Sequence, residues 1–151
     1  MRAAFGMVVV LTASIGFADD KKDDKKPAKL DGKYLITAVE IGGEKFPDDL
    51  ITKGSDAERT IVIKGDQIIA SKGGKDDPAT IKLDASKTPA HIDVTSKKGD
   101  GKDEKMYGIY KLDGDTLTIC MVEGKPEDRP KEFKTEKGGM AIMLTLKKKD
   151  K

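Results

Sequence analysis

Along residues 116–122, Leu117, Ile119 and Met121 alternate with Thr116, Thr118 and Cys120. That two-residue period marks a strand with one buried face. A second strand-like run, 106–112, precedes it, with Asp113-Gly114-Asp115 between the two. Asp-Gly supplies the positive-φ positions of a type I′ turn, so the segment predicts a tight β-hairpin. The pattern recurs along the chain. A first strand at 34–41 is closed by Gly42-Gly43, and 59–64 pairs with 67–71 through Gly65-Asp66. Residues 46–57 lack alternation and hold Pro47, Asp48 and Asp49, which predicts a long connection with one helical turn. Residues 73–78 read as a turn cluster, 97–104 as a polar loop and 124–130 as another loop. Strands are expected at 80–84, 91–95 and 141–147, where apolar and polar residues alternate. About eight strands joined mainly by short turns must be antiparallel neighbours. Closing them into a barrel removes the exposed edges. The fold class read from the pattern is therefore all-β, an antiparallel barrel in one domain.

The first 18 residues stand apart. Met1-Arg2 is a positive start, 3–11 is apolar and uncharged, and 12–18 is rich in small residues and ends Gly16-Phe17-Ala18. This is the pattern of a secretory signal peptide cleaved after Ala18. The apolar stretch of about 16 residues falls short of the roughly 20 that span a bilayer. The expected location is thus extracytoplasmic, periplasmic or secreted, with no transmembrane span after processing. Residues 19–29 (DDKKDDKKPAK) bury almost nothing and read as a charged, disordered linker. The domain is assigned to 30–148.

The formal charge of the whole chain is +2, with 37% charged residues. Acids and bases are interleaved, so the sequence has none of the concentrated basic surface that nucleic acid requires. With one His and one Cys, a His/Cys metal site lacks its ligands. His91 is expected on the outer face, opposite in sense to Ile92. Cys120 has no disulfide partner within the chain and reads as a small packed residue. The Asp113-Gly114-Asp115 run is accounted for by the hairpin, without a metal. No nucleophile elbow, phosphate-binding loop or zinc-protease motif occurs. No enzymatic activity, metal or cofactor is expected.

Leu30-Asp-Gly-Lys-Tyr34, Ile63-Lys-Gly-Asp66, Ala90-His-Ile-Asp-Val94, Gly108-Ile-Tyr110 with Gly114-Asp-Thr-Leu117 and Cys120, and Arg129-Pro-Lys-Glu-Phe133 follow one another in this order. In this the chain resembles an uncharacterised extracytoplasmic lipocalin-like domain family of planctomycete bacteria. The resemblance runs from about Leu30 to Lys148. The family typically has Trp where this chain has Tyr34, and this chain has no Trp. The resemblance implies a lipocalin-like barrel and an extracytoplasmic address, and it carries no established activity. The lipocalin analogy further implies an aromatic plug at one barrel end, Tyr34, with a basic side chain across its ring, for which Arg129 is the candidate.

The inward-facing candidates are Ile36, Ile63, Ile81, Leu83, Ile92, Val94, Leu117, Ile119, Ile142 and Leu144. Such medium-sized residues either fill a narrow eight-stranded barrel or line a modest apolar pocket. Two functions correspond. One is a noncatalytic domain binding a small apolar ligand in the barrel interior. The other is a structural or protein-interaction module of the cell envelope with a filled core.

Overall fold

The computed structural model describes residues 29–149 apart from residue 73, so the expected signal peptide at 1–18 and nearly all of the expected linker lie outside the described residues. Nine strands and one short helix follow in chain order. They are β1 (Gly32–Ile41), β2 (Glu44–Lys45), α1 (Asp48–Thr52), β3 (Thr60–Lys64), β4 (Gln67–Lys72), β5 (Lys75–Asp84), β6 (Ala90–Lys97), β7 (Asp103–Asp113), β8 (Thr116–Glu123) and β9 (Ile142–Lys148). All pairings are antiparallel. Neighbours pair in sequence order from β3 to β9, β1 pairs with β3, and β9 returns to β1. Eight strands thus form a closed up-and-down barrel, with the two-residue β2 as a flap on β1. The all-β antiparallel barrel expected from the alternation is the fold observed, and it is consistent with the lipocalin-like barrel that the resemblance implies.

Two local expectations are corrected. Residues 75–78 are not part of a turn. They open β5, with Asp76, Asp77 and Pro78 opposite Ser71, Ala70 and Ile69. Composition marks this run as turn-like, but pairing with β4 decides it, since strand preference depends on context. The hairpin turns are also not type I′. Asp113 pairs with Thr116, so the turn centre is Gly114-Asp115. Only glycines have positive φ, and Gly114 has φ 60°. Gly65-Asp66 repeats this, with Gly65 at φ 60° and Lys64 opposite Gln67. Glycine alone in positive φ at the first central position is the type II′ arrangement.

The connections separate into two ends. β3–β4, β5–β6 and β7–β8 turn at one end, where β1 begins and β9 finishes. The longer connections, 42–59, 98–102 and 124–141, lie at the other. Inside, Leu30, Tyr34, Ile61, Ile63, Ile81, Ile92, Val94, Tyr110, Leu117, Ile119 and Leu146 form one buried cluster. Register keeps that face consistent from strand to strand. Tyr34 lies opposite Ile61, Ile81 opposite Val94, Tyr110 opposite Ile119, and Leu117 opposite Leu146. A bulge on β1 between Ile36 and Ala38 moves the inner face by one residue. Val39 and Ile41 then share the side of Leu144 and Ile142.

Candidate functional site

The interior is graded along its axis. Tyr34, Ile92, Leu117 and Leu146 have 0% exposure, so no water-sized space touches them. Leu30, just ahead of β1, is 1% exposed and belongs to the same cluster, which closes the tight-turn end. Toward the other end the inner face becomes only half-buried, at Val39, Met106, Met121, Ile142 and Leu144. Ile41, opposite Ile142, is 38% exposed. Phe46 (42%), Leu50 (58%) and Met140 (73%) lie on the connections at this same end. Among the described residues, four of the five exposed large hydrophobics are therefore gathered round the mouth, and the fifth, Leu112, is at the tight-turn end.

Beyond the methionines, the rim on β6, β7 and β8 is polar. Ser96 and Glu104 face each other one step beyond Val94 and Met106, and Glu123 lies opposite Met106. Lys98 Nζ bridges Glu104 Oε1 at 3.2 Å and Glu123 Oε1 at 2.8 Å. These contacts raise the Lys98 pKa, through Glu123 first and then Glu104, and hold the Glu123 carboxyl below its usual range. The mouth thus has an apolar wall with two flexible methionines, bordered next to them by one ammonium–carboxylate cross-link. Methionine side chains adapt to varied apolar shapes.

The sequence-derived interior set maps closely onto this gradient. Ile63, Ile81, Ile92, Val94, Leu117 and Ile119 are in the buried cluster, and Ile36, Leu83 and Leu144 pack against it as half-buried neighbours. Ile142 shares the inner face but sits out at the mouth, opposite Met121. The sequence reading omitted Ile61, Tyr110 and Leu146, which continuing the alternation from Ile63, or the register from Ile119 and Leu117, would have reached. It could not have found Val39 and Ile41, because the β1 bulge leaves no signal in the alternation.

The expected stack of Arg129 on Tyr34 does not form. Tyr34 is buried inside, while Arg129 lies outside, with its Cζ 5.5 Å from the Tyr107 ring centroid. Its guanidinium donates to the carbonyls of Gly108 (2.7 Å) and Ile92 (3.3 Å) and to Asp93 Oδ1 (2.7 Å). Arg129 leaves the short 3-10 turn Pro126–Asp128 and precedes Pro130, which favours the extended backbone seen at Arg129. The basic side chain near Tyr34 is instead Lys148, its register partner on β9.

Arg129 pins residues 124–141 as a strap across the outer wall. Under it Ile109 and Cys120 pair with each other, at 1% and 0% exposure. The Cys120 thiol contacts the Lys134 carbonyl at 3.6 Å. Thr135 Oγ1 donates to Glu40 Oε1 (2.5 Å) and accepts from the Gly43 N–H (2.9 Å), which fixes the far end of the strap. Burial pushes the Cys120 thiol pKa up, so the thiol is held neutral and covered. His91 sits half-buried opposite Ile109, its pKa lowered by burial and by the Arg129 charge.

Hollows flank the strap. One of about 470 Å³ involves Val122, Lys134 and Met140, and one of about 400 Å³ involves His91 and Pro126. A larger groove of about 1070 Å³ runs along β3. Among the described residues no group of three or more His, Cys, Asp or Glu is arranged to hold a metal ion, and no helix is long and apolar enough to cross a membrane. No family model, curated protein or solved structure matches the chain.

Proposed function

We propose that the chain is a noncatalytic, lipocalin-like binding domain that works outside the cytoplasm and takes a small apolar ligand at the half-buried mouth of its barrel. The observation that carries this reading is the burial gradient: a tightly packed floor, a half-buried apolar ring, and four of the five exposed large hydrophobics among the described residues at the mouth end. Contiguous exposed apolar surface is a common mark of an interaction site. The packed floor makes the site shallow, and the ligand rests on Met106, Met121 and Leu144 without reaching Tyr34. Export is supported by the charged start, apolar run and small-residue end of residues 1–18. It is also supported by the resemblance to an extracytoplasmic family. N-terminal sequencing of the exported protein should begin at Asp19, and retention of Met1 in a membrane-bound form would reject the cleaved leader.

The test of binding is native mass spectrometry of protein purified from its own host, paired with titration of an environment-sensitive apolar dye. A co-purified small molecule and dye binding that Met121→Glu weakens at least tenfold are expected. A carboxylate at a half-buried apolar position strongly disfavours an apolar neighbour. A bare-chain mass together with dye binding indifferent to that variant would overturn the reading. The second reading, an envelope interaction module, draws on the absence of water-sized space around Tyr34, Ile92, Leu117 and Leu146. On that reading Phe46, Leu50 and Met140 contact a protein and the mouth holds no ligand.

A further inference from the structure

The groove along β3 lies apart from the mouth. It is bordered by the start of β1, by Asp56 and Ala57 in the connection before β3, and by the end of β9. Alternation along β3 puts Thr60, Val62 and Lys64 on the side away from Ile61 and Ile63, and Lys33 lies opposite Val62. Four lysines line the groove, Lys33, Lys64, Lys148 and Lys149, together with two acids, Asp31 and Asp56. The acids are already engaged. Asp56 bonds Arg59 at 2.6 Å and Lys149 at 3.3 Å, and Asp31 Oδ1 accepts the Gly65 N–H at 2.8 Å. Among the described residues, Lys33, Lys64 and Lys148 have no carboxylate within ion-pair distance, whereas Lys149 does.

We infer that this groove is a second binding site, for a single-chain anionic amphiphile such as a fatty-acid carboxylate. Its volume of about 1070 Å³ matches the upper end of small-molecule sites. Val62, Ala57 and the stems of the lysines form the apolar bed, since lysine lays its methylenes along apolar surface while its head stays in water. The Lys148 stem runs instead over Gly32 on the Tyr34 side of the sheet, so the stems in the groove are those of Lys33, Lys64 and Lys149. Charge complementarity sets the sign of the ligand, because ammonium groups outnumber carboxylates along the groove and one of its two acids, Asp56, is paired with Arg59 and Lys149. No aromatic side chain lines it. A nucleobase would therefore find no stacking platform, whereas an acyl chain needs none.

The experiment titrates the mature chain, residues 19–151, with dodecanoate at low salt, by calorimetry. Dodecanol and dodecyltrimethylammonium run in parallel, and methyl NMR locates the site. One dodecanoate per chain is expected, bound more tightly than either control and weakened by added salt. Shifts should centre on the Val62 and Ala57 methyls. Lys33→Gln with Lys64→Gln should weaken binding by about 5-fold, in keeping with two exposed ion pairs. Val62→Glu should abolish it. No binding of dodecanoate, equal affinity for dodecanol, or shifts centred on Leu144 and Ile142 would each overturn the inference. The last two outcomes would leave the mouth reading standing.

Discussion

The Arg129 Cζ lies 5.5 Å from the Tyr107 ring centroid, within cation–π range, and the same guanidinium reaches the Gly108 carbonyl at 2.7 Å. One side chain thereby ties the strap to two strands, through Ile92 on β6 and Gly108 on β7. Arg129→Ala should destabilise the fold by about 2–3 kcal/mol, the scale for losing hydrogen bonds to a charged, mostly covered group. Arg129→Lys should recover less than half of this, because an ammonium cannot form the planar fork. The same change should free the strap locally and raise the alkylation rate of Cys120, which is fully covered in the native fold. A denaturation midpoint and an alkylation rate both equal to those of the unaltered chain would show that Arg129 does not hold the strap.

Tyr34 and Tyr110 place their hydroxyls in the barrel interior without a hydrogen-bond partner among the described residues. A buried polar atom left unpaired costs free energy, so removing the oxygen alone should not destabilise. Tyr34→Phe and Tyr110→Phe should each leave stability within about 0.5 kcal/mol or increase it, up to about 1–2 kcal/mol. Tyr34→Ala should cost about 3–5 kcal/mol through loss of the ring. Chemical denaturation of the three variants tests this, and a Phe variant weakened by several kcal/mol would reveal a partner for the hydroxyl.

Alkaline pH should loosen the barrel from inside. Burial raises the Cys120 pKa above 9.0 and those of Tyr34 and Tyr110 above 10.0, with Asp31 and Asp84 adding to the two tyrosines. Between its unfolded and its raised folded pKa, each group is ionised in the unfolded chain and protonated in the folded one. The folded state then binds more protons, and stability falls as pH rises. The contribution is fully present below pH 9, is lost first through Cys120, and is lost further above pH 10 through the tyrosines. Unfolding midpoints measured from pH 7 to 10.5 should decline in that order, and Cys120→Ala should remove the first part of the decline.

The barrel was legible in the sequence because most of its strands alternate apolar and polar residues and several are joined by glycine-centred turns. Leu117, Ile119, Ile142 and Leu144 all face the side that alternation assigns them. The site was less legible for three physical reasons. The β1 bulge turns Val39 and Ile41 inward by inserting a residue that composition does not announce. The strap's hold on Ile109 and Cys120 depends on contacts between residues far apart in the chain, such as Arg129 with Ile92. The placement of Arg129 was expected by analogy with a barrel plug, yet its reach is taken up by Tyr107 and Asp93 on the outer wall. Local pattern records which face a residue takes on its strand, and it does not record which distant surface a loop will cover.

The β7–β8 turn provides the most direct check on backbone geometry. Its centre is Gly114-Asp115, and only Gly114 has positive φ. A Cβ at Gly114 would meet no other atom within 4 Å, so any penalty there comes from the backbone alone. Gly114→Val should cost about 1–3 kcal/mol, because a β-branched residue is strained at φ 60°. Asp115→Ala should stay within about 0.5 kcal/mol, as expected for an exposed position at ordinary φ. A type I′ turn centred on the same two residues would need positive φ at both, and Asp115→Ala would then remove an Asp that such turns favour. Comparable losses at 114 and 115 in urea denaturation would therefore reject the type II′ geometry. A large loss at 114 alone would establish it.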